Sequence, residues 1–210
     1  MTHNSWILAR QGKFTASNTH KLLVSSKSKD VIFGQTAISY IKEVAAENLA
    51  IVEQKASTKA MEWGTFHEPH AMEMYRKFTG KEVEYFGVEN PLFIENSEYS
   101  GGSPDGLTDT HLIEIKCPFN TANHIENLTL TEDEFKKERA EYYAQIQFNM
   151  LLTKRSKAHF VSFDPRMIHE DRMLCVLEIN EDKVFQNIIT QRIALAEIEL
   201  RKIITKIIKL

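Results

Sequence analysis

The sequence predicts a single α/β domain in which α-helices flank a central mixed β-sheet. Two observations lead to this prediction. Segments with apolar residues at helical spacing stand on both sides of a middle region that is rich in β-branched and aromatic residues. In addition, no Pro-, Gly- or Ser-rich linker and no internal repeat divides the 210 residues, so we expect one domain over residues 1–210.

The first third of the chain is predicted to be helical. TASNTHKLLVSS places small hydroxyl residues before apolar ones, which predicts a short helix that begins near Thr15 to Ser17. QTAISYIKEVAAENLA has apolar residues at helical spacing, and KAMEWGTFHEPHAMEMYRKFTG predicts a further helix closed by Gly80. Gly64 and Pro69 are candidates for the true start of that helix.

From Val83 onwards the pattern favours strands. VEYFGVE, PLFIE, AHFVSFD and RMLCVLEIN are predicted strands, and GGSPDGLTDTHLIEIK is a predicted hairpin. Between these strands, TEDEFKKERAEYYAQIQFNMLLT predicts one amphipathic helix with acids in its first turn. The last thirty residues predict a long helix that Asn180 can cap.

Composition narrows the class of protein. No apolar run reaches the ~20 residues that a membrane-spanning helix needs. The N-terminal segment MTHNSWILARQGK lacks the pattern of a secretory signal, so we expect a cytoplasmic protein. Cys117 and Cys175 are too few for a disulfide framework or a four-thiolate metal site, and we interpret them as buried thiols.

Charge is segregated along the chain. The first 29 residues hold no carboxylate but five cations, namely Arg10, Lys13, Lys21, Lys27 and Lys29, although the whole chain has a net charge of −3. A basic N-terminal segment on an acidic body is able to bind phosphate. The alternative interpretation is a set of solvated side chains.

The hairpin GGSPDGLTDTHLIEIK has two interpretations. Pro104, Asp105 and Gly106 form a typical turn cluster, which is the simpler interpretation. In LIEIK, however, the period of two places Glu114 and Lys116 on the same face. In a central strand these charges face the interior and need partners, whereas in an edge strand they face water.

The short connection TDTH brings Asp105 towards Glu114 across the hairpin. Two carboxylates repel each other, and a hard divalent cation such as Mg²⁺ removes the repulsion. Its bound water is a suitable nucleophile against a phosphodiester. Lys116 beside such a site can orient the water and offset phosphate charge.

SPDGL followed by EIK resembles the PD-(D/E)xK nuclease core. The wider chain resembles the phage lambda exonuclease and YqaJ-like viral recombinase family, whose order is kept in six blocks: RQGKFTAS, KAMEWGTFHEP, SPDGL, EIKCPF, YYAQIQ and DPRM. These blocks cover about residues 10 to 170. The resemblance implies a restriction-endonuclease-like core, that is, a central mixed β-sheet flanked by α-helices.

The resemblance also implies roles for individual residues. It makes Asp105, Glu114, Glu68 and the backbone carbonyl of Ile115 ligands of two Mg²⁺ ions, for which Mn²⁺ substitutes. It makes Lys116 the catalytic lysine and Gln145 the group that positions the attacking water. The remaining implied contacts are with the terminal 5′-phosphate and the DNA: Arg10, Ser17, Thr15 and Ser103. Ser103 has an alternative role as a turn residue.

The function implied by the resemblance is a 5′→3′ exonuclease that degrades one strand of double-stranded DNA from a phosphorylated 5′ end. Its products are mononucleotides and a 3′ single-stranded tail, for phage-type recombination. The resemblance further implies a homotrimeric ring around the DNA and a single-strand-annealing recombinase as partner. The enzyme would be encoded by a phage or prophage and act in the host cell.

Three alternatives remain beside this interpretation. Another PD-(D/E)xK endonuclease is one, although no separate specificity domain is visible and two cysteines exclude a four-cysteine iron–sulfur cluster. A catalytically silent DNA-binding scaffold is another, although Asp105, Glu114 and Lys116 are all present. A zinc-hydrolase helix at His67 and His70 is disfavoured, because an H-E-x-x-H motif needs histidine where Ala71 stands.

Overall fold

The computed structural model describes residues 1–28, 31–51 and 56–210. Lys29 of the basic N-terminal segment therefore lies outside the described residues. The helices are α1 His3–Arg10, α2 Thr19–Leu22, α3 Gln35–Leu49, α4 Lys59–Thr79, α5 Thr121–Asn127, α6 Glu132–Glu138, α7 Ala140–Thr153 and α8 Lys183–Ile208. The strands are β1 Phe14–Thr15, β2 Glu84–Tyr85, β3 Ile94–Ser97, β4 Ser100–Gly102, β5 Gly106–Leu107, β6 His111–Lys116, β7 Lys157–Phe163 and β8 Leu174–Asn180.

Two sheets organise these elements. The larger has the order β2-β5-β6-β7-β8, with β6 parallel to β7 and every other pair antiparallel. The smaller has the order β1-β4-β3. The predicted α/β class with helices around a mixed sheet is confirmed. Within the described ranges, no helix combines the length and apolar character needed to cross a membrane.

Strand β6 is the centre of the larger sheet and is covered on both faces. Ile113 and Ile115 pack in one apolar cluster with Met72 and Tyr75 of α4. On the other face, Leu112 packs with apolar residues of α6 and α7. The edge-strand interpretation is therefore wrong, and the charges of this strand require partners within the protein.

Helix α4 confirms the predicted helix but not the proposed starts inside it. The Thr58 hydroxyl caps the helix by accepting a hydrogen bond from the Met61 N–H, and Gly80 closes it in a left-handed conformation with φ 65°. The helix continues through Gly64 and Pro69. Pro69 has no N–H to donate to the carbonyl four residues earlier. It is tolerated because it lies on the exposed side of the helix, where that carbonyl is able to bind water instead.

Other boundaries differ from the predictions because tertiary contacts decide them. Thr15 belongs to a short strand paired with β4, so the predicted helix near Thr15 to Ser17 begins only at Thr19, after a 3₁₀ turn. The predicted helix over 131–153 is broken at Arg139, whose guanidinium binds Asn127 and Glu126. Helices α1 and α5 were not predicted, and Asp182 rather than Asn180 caps α8.

Gly102, at the end of β4, provides a test of the packing between the small sheet and α7. A Cβ at this position would lie 2.8 Å from Leu152 Cδ1 and closer still to Asn149 Oδ1. We expect Gly102→Ala to lower the free energy of unfolding by about 1–3 kcal/mol, measured by urea denaturation. The matched control is Gly64→Ala, where a Cβ meets nothing within 4 Å and should raise the value by about 0.5–1 kcal/mol. Equal effects at the two sites would contradict the predicted steric conflict.

Candidate active site

The hairpin places Asp105 against strand β6. Asp105 stands directly before β5, where the chain leaves the small sheet and enters the large one, and not at the end of the preceding strand as predicted. Strand β5 pairs antiparallel with β6 in a register that sets Gly106 opposite Ile113. As a result, Asp105 Oδ2 accepts a hydrogen bond of 2.6 Å from the Ile115 N–H. The predicted approach of Asp105 to the Glu114 strand is observed.

Glu114 is fully buried and is surrounded by donors. Lys116 Nζ donates to Glu114 Oε1 at 2.6 Å, and Gln145 Nε2 donates to the same oxygen at 2.5 Å. Asn149 Nδ2 donates a longer bond of 3.4 Å to Oε2. The predicted lysine and glutamine thus bind the same carboxylate. Lys116 shares a face of β6 with Glu114 because the two are two residues apart, and Gln145 and Asn149 share a face of α7 because they are four residues apart.

Glu68 reaches the same site from α4. It lines one cavity together with Ile115, Lys116 and Tyr142, at the end of β6. Its Oε1 accepts a hydrogen bond of 2.9 Å from the Tyr85 hydroxyl. The structure therefore brings Glu68 to the sheet edge at which Asp105 and Glu114 lie.

One ammonium group stands among these three carboxylates. Burial, followed by repulsion from Asp105, raises the pKa of Glu68 to about 7 and that of Glu114 to about 8. Burial also raises the pKa of Asp105, although Lys116 and the Ile115 N–H act in the opposite direction. Burial alone would lower the pKa of Lys116, but attraction to Glu114 and Asp105 raises it overall. Clustered oxygen donors with uncompensated negative charge fit a hard divalent cation.

A separate cluster contains two of the predicted phosphate-binding residues, Arg10 and Ser103. Arg10 Nη1 donates to Ser103 Oγ at 3.2 Å, and Trp6 Nε1 donates to the same oxygen at 2.9 Å. The Arg10 guanidinium lies 4.2 Å from the centroid of the Trp6 ring. Arginine has five N–H donors, so the contact with Ser103 leaves donors for an anion. Burial lowers the pKa of Arg10, while Tyr40, Asp105 and Glu114 oppose the shift.

Thr15 and Ser17 lie near this cluster through the pairing of β1 with β4. Their hydroxyl oxygens are 3.2 Å apart. Strands β1 and β4 run parallel, with Thr15 opposite Gly101, and Ser17 and Ser103 each stand two residues beyond this pair. The four predicted phosphate-binding residues are therefore gathered at one end of this strand pair.

The DPRM block fixes the segment that follows Lys116. The Arg166 guanidinium donates two hydrogen bonds to the fully buried Asp164, of 2.8 and 2.7 Å, and also donates to the carbonyls of Phe119 and Pro118 at 3.0 and 3.1 Å. Its guanidinium lies 4.2 Å from the centroid of the Trp63 ring on α4. Arg166 thus ties the loop after β6 to the loop after β7 and to α4.

Three residues near the site were not predicted: Asn149, Tyr85 and Trp6. The i, i+4 spacing from Gln145 was a signal for Asn149, whose fully buried Oδ1 has no hydrogen-bond partner among the described residues. The sequence contains no comparable signal for Tyr85 or Trp6. Their partners lie 17 and 97 residues away along the chain.

The cysteines and the α4 histidines form no hydrogen bond with the carboxylate groups of the site among the described residues. Cys117 and Cys175 are free and half-buried, and burial raises the pKa of Cys117 to about 12 and that of Cys175 to about 11. His67 packs against Trp63, with ring centroids 4.0 Å apart. Among the described residues, neither His67 nor His70 belongs to a group of three metal-ligating side chains.

Comparisons with known proteins show the family and the fold of this chain. The family model for the YqaJ-like viral recombinase domain matches residues 5–156. The chain is similar to an alkaline exonuclease, LHK-Exo from Laribacter hongkongensis, with 32% identity and a TM-score of 0.80, over 98% of this chain and 96% of that chain. The structure of LHK-Exo in complex with dAMP matches at the same identity and TM-score, over 97% and 95%.

A phage related exonuclease from Haemophilus somnus 129PT is similar in fold. It is 20% identical, with a TM-score of 0.76, over 95% of this chain and 98% of that chain. No curated protein matches the chain. The family model and the similarity to LHK-Exo confirm the predicted resemblance.

Asp105→Asn separates the role of charge from that of shape. The amide oxygen is able to keep the hydrogen bond with the Ile115 N–H, while one of three repelling carboxylates is removed. We expect the free energy of unfolding in EDTA to stay equal or rise by about 1 kcal/mol. The increase in melting temperature caused by Mg²⁺ or Mn²⁺ should be lost.

Asp109→Asn is the matched control, because Asp109 is exposed in the turn of the same hairpin. This variant should keep the increase in melting temperature with Mn²⁺. A full Mn²⁺ effect in Asp105→Asn would remove Asp105 from the metal ligands.

Proposed function

This chain belongs to the YqaJ-like viral recombinase domain family, and we propose that it is a Mg²⁺-dependent 5′→3′ exonuclease on double-stranded DNA. The family and the similarity to the alkaline exonuclease indicate a nuclease that acts in phage recombination. The proposal adds that one strand is degraded from a phosphorylated 5′ end to mononucleotides. A 3′ single-stranded tail remains for recombination.

The convergence of Asp105, Glu114, Glu68 and Lys116 at the end of β6 carries this proposal. The residues that would hold the metal are the three carboxylates and the Ile115 carbonyl. Two bound Mg²⁺ ions, or Mn²⁺ in their place, would supply water activation and neutralise charge on the phosphodiester.

Lys116 and Gln145 contribute directly to the reaction in this proposal. The Lys116 ammonium orients the nucleophilic water and offsets the charge that develops on phosphate. Gln145 Nε2 holds Glu114 by a hydrogen bond, while its carbonyl oxygen has no hydrogen bond among the described residues and is available to position the water. A side chain held at one end by Glu114 is well placed for this task.

The polarity of the proposed reaction rests on the pocket of Arg10, Ser103, Thr15 and Ser17. An arginine and three hydroxyl groups suit a terminal phosphate dianion, which would set the first phosphodiester against the carboxylates. The complex of LHK-Exo with dAMP supports a mononucleotide as product, because that relative binds one. Arg10 is coupled electrostatically to Asp105 and Glu114, which supports the closeness of pocket and carboxylates.

The assembly and setting belong to the same proposal. We expect one catalytic domain over residues 1–210, a homotrimeric ring around the DNA, and a single-strand-annealing recombinase as partner. We also expect the protein to be encoded by a phage or prophage and to act in the cytoplasm of the host cell. Family membership supports these expectations, and a ring would allow basic side chains to line the DNA channel.

The first experiment is digestion of a linear duplex labelled separately at its 5′ and 3′ ends, in Mg²⁺ and in EDTA. We expect Mg²⁺-dependent release of the 5′ label as mononucleotide. Lys116→Met should lower the rate by about 10²–10⁴-fold, because the ammonium acts on the water and phosphate. Lys183→Met is the control, since Lys183 is 81% exposed and outside the site.

The pattern of cleavage distinguishes the alternatives. Internal cuts in a circular duplex would show that the protein is a PD-(D/E)xK endonuclease and would contradict the proposed exonuclease. DNA binding without cleavage would support a silent scaffold. Normal turnover by Lys116→Met would remove that residue from the chemistry.

Arg10→Gln tests the phosphate pocket. Initial rates are measured on duplexes with a 5′-phosphate or a 5′-hydroxyl, and the ratio of the two rates is compared with that of the wild-type protein. We expect the ratio to fall by roughly 10-fold or more, because a charge-assisted contact is lost. The control is Arg201→Gln, an exposed arginine paired with Glu98. An unchanged ratio in Arg10→Gln would place the phosphate pocket elsewhere.

A further inference from the structure

A second group of metal-ligating side chains lies at the other end and on the other face of strand β6. His111 begins this strand, and its side chain shares a face with Ile113 and not with Glu114. His159 lies opposite Ile113 on the neighbouring strand β7, and Glu178 lies opposite His159 on β8. The register of three strands thus brings two imidazoles and one carboxylate together.

The ligand atoms of this group converge. Glu178 Oε2 is 3.3 Å from His111 Nε2 and 3.9 Å from His159 Nε2, and all three atoms lie within 4.8 Å of one another. Tetrahedral zinc with bonds of about 2.0–2.1 Å requires separations of roughly 3.3 Å between ligand atoms. The separation of 3.3 Å already has this value, and the separation of 3.9 Å exceeds it by an amount that a rotation of the exposed Glu178 side chain would have to close.

The second nitrogen of each imidazole has a hydrogen-bond partner. His159 Nδ1 lies 2.7 Å from the Tyr75 hydroxyl, and His111 Nδ1 lies 2.7 Å from the Thr110 hydroxyl. Metal-ligating histidines usually have such a partner, which fixes the ring and the tautomer. His159 Nε2, by contrast, has no hydrogen bond among the described residues, and it carries a lone pair for a ligand in the tautomer whose Nδ1–H donates to the Tyr75 hydroxyl.

The burial of the two imidazoles and the charges around them bear on the binding of a cation. His111 and His159 are 7% and 9% exposed. Burial, followed by repulsion from His111, lowers the pKa of His159 to about 4. Lys157 donates to Glu178 Oε1 at 2.8 Å, and Oε2 lies 3.3 Å from His111 Nε2, so a bound metal ion would replace this contact between His111 and Glu178. Lys81 is a further cation near His159. These two lysines oppose cation binding and Glu178 favours it.

The structure assigns to His111, His159 and Glu178 a binding site for a divalent transition-metal ion of the zinc class. Two imidazoles and a carboxylate select zinc, cobalt or nickel over Mg²⁺, which prefers oxygen ligands. The bound ion would join β6, β7 and β8 and stabilise the centre of the sheet. Water would complete its coordination, since the Glu178 side chain is 44% exposed.

Calorimetric titration with Zn²⁺ in excess Mg²⁺ tests the assignment on the full chain, because Mg²⁺ competes for the oxygen ligands of the other site. We expect one Zn²⁺ per chain and a higher melting temperature with Zn²⁺ than with Mg²⁺ alone. His111→Gln and His159→Gln should each weaken Zn²⁺ binding by roughly 100-fold or more. Tyr75→Phe should weaken it by about 10-fold, because the partner of His159 is lost.

Two further variants keep the test decisive. Glu178→Gln removes a ligand at an exposed position, so it should fold normally and weaken Zn²⁺ binding by at least about 10-fold. His169→Gln is the matched control, since His169 is exposed and outside the group, and it should bind as the wild-type protein does. The assignment is overturned if the wild-type chain binds no Zn²⁺ in excess Mg²⁺. It is also overturned if Glu178→Gln and His159→Gln both keep wild-type affinity.

Discussion

The buried ion pair of Glu114 and Lys116 is the constraint on which the rest of the site depends. A charged carboxylate at the centre of a sheet is costly unless its lone pairs are satisfied. Lys116, Gln145 and Asn149 satisfy them, so helix α7 must place two amide side chains over β6. The Asp105 carboxylate, bound to the next backbone N–H, then fixes the hairpin against the same strand. The site therefore forms only when α7 packs over β6.

The alternation of strand β6 separates two kinds of chemistry. On the α7 face, Glu114 and Lys116 belong to a site of oxygen ligands at the C-terminal end of the strand. On the α4 face, His111 at the N-terminal end belongs to the proposed site of two imidazoles and one carboxylate, and Ile113 and Ile115 pack between that end and the cavity. Hard and borderline cations prefer different ligand sets. A single strand thereby contributes residues to two proposed sites with different ligand sets.

The sequence predicted those features that depend on local pattern. The hairpin, the paired charges of LIEIK and helices α3, α4 and α8 follow from turn residues and periodicity. Features set by distant contacts were missed or misplaced. Arg139 breaks a helix because its guanidinium binds α5, and Thr15 is a strand residue only because β4 lies beside it. The cluster of His111, His159 and Glu178 depends on the register of three strands, which no local pattern contains.

The parallel pairing of β6 with β7 explains why the oxygen-ligand site forms at one edge. Parallel strands end on the same side of a sheet, so the segments after Lys116 and after Phe163 leave it together. Arg166 joins them, because it binds Asp164 and also the two backbone carbonyls that follow Cys117. An antiparallel partner would have sent its exit loop to the opposite edge. The segment after Lys116, which lines the cavity with Cys117 and Pro118, is thus held in place by the same strand pair that presents Glu114.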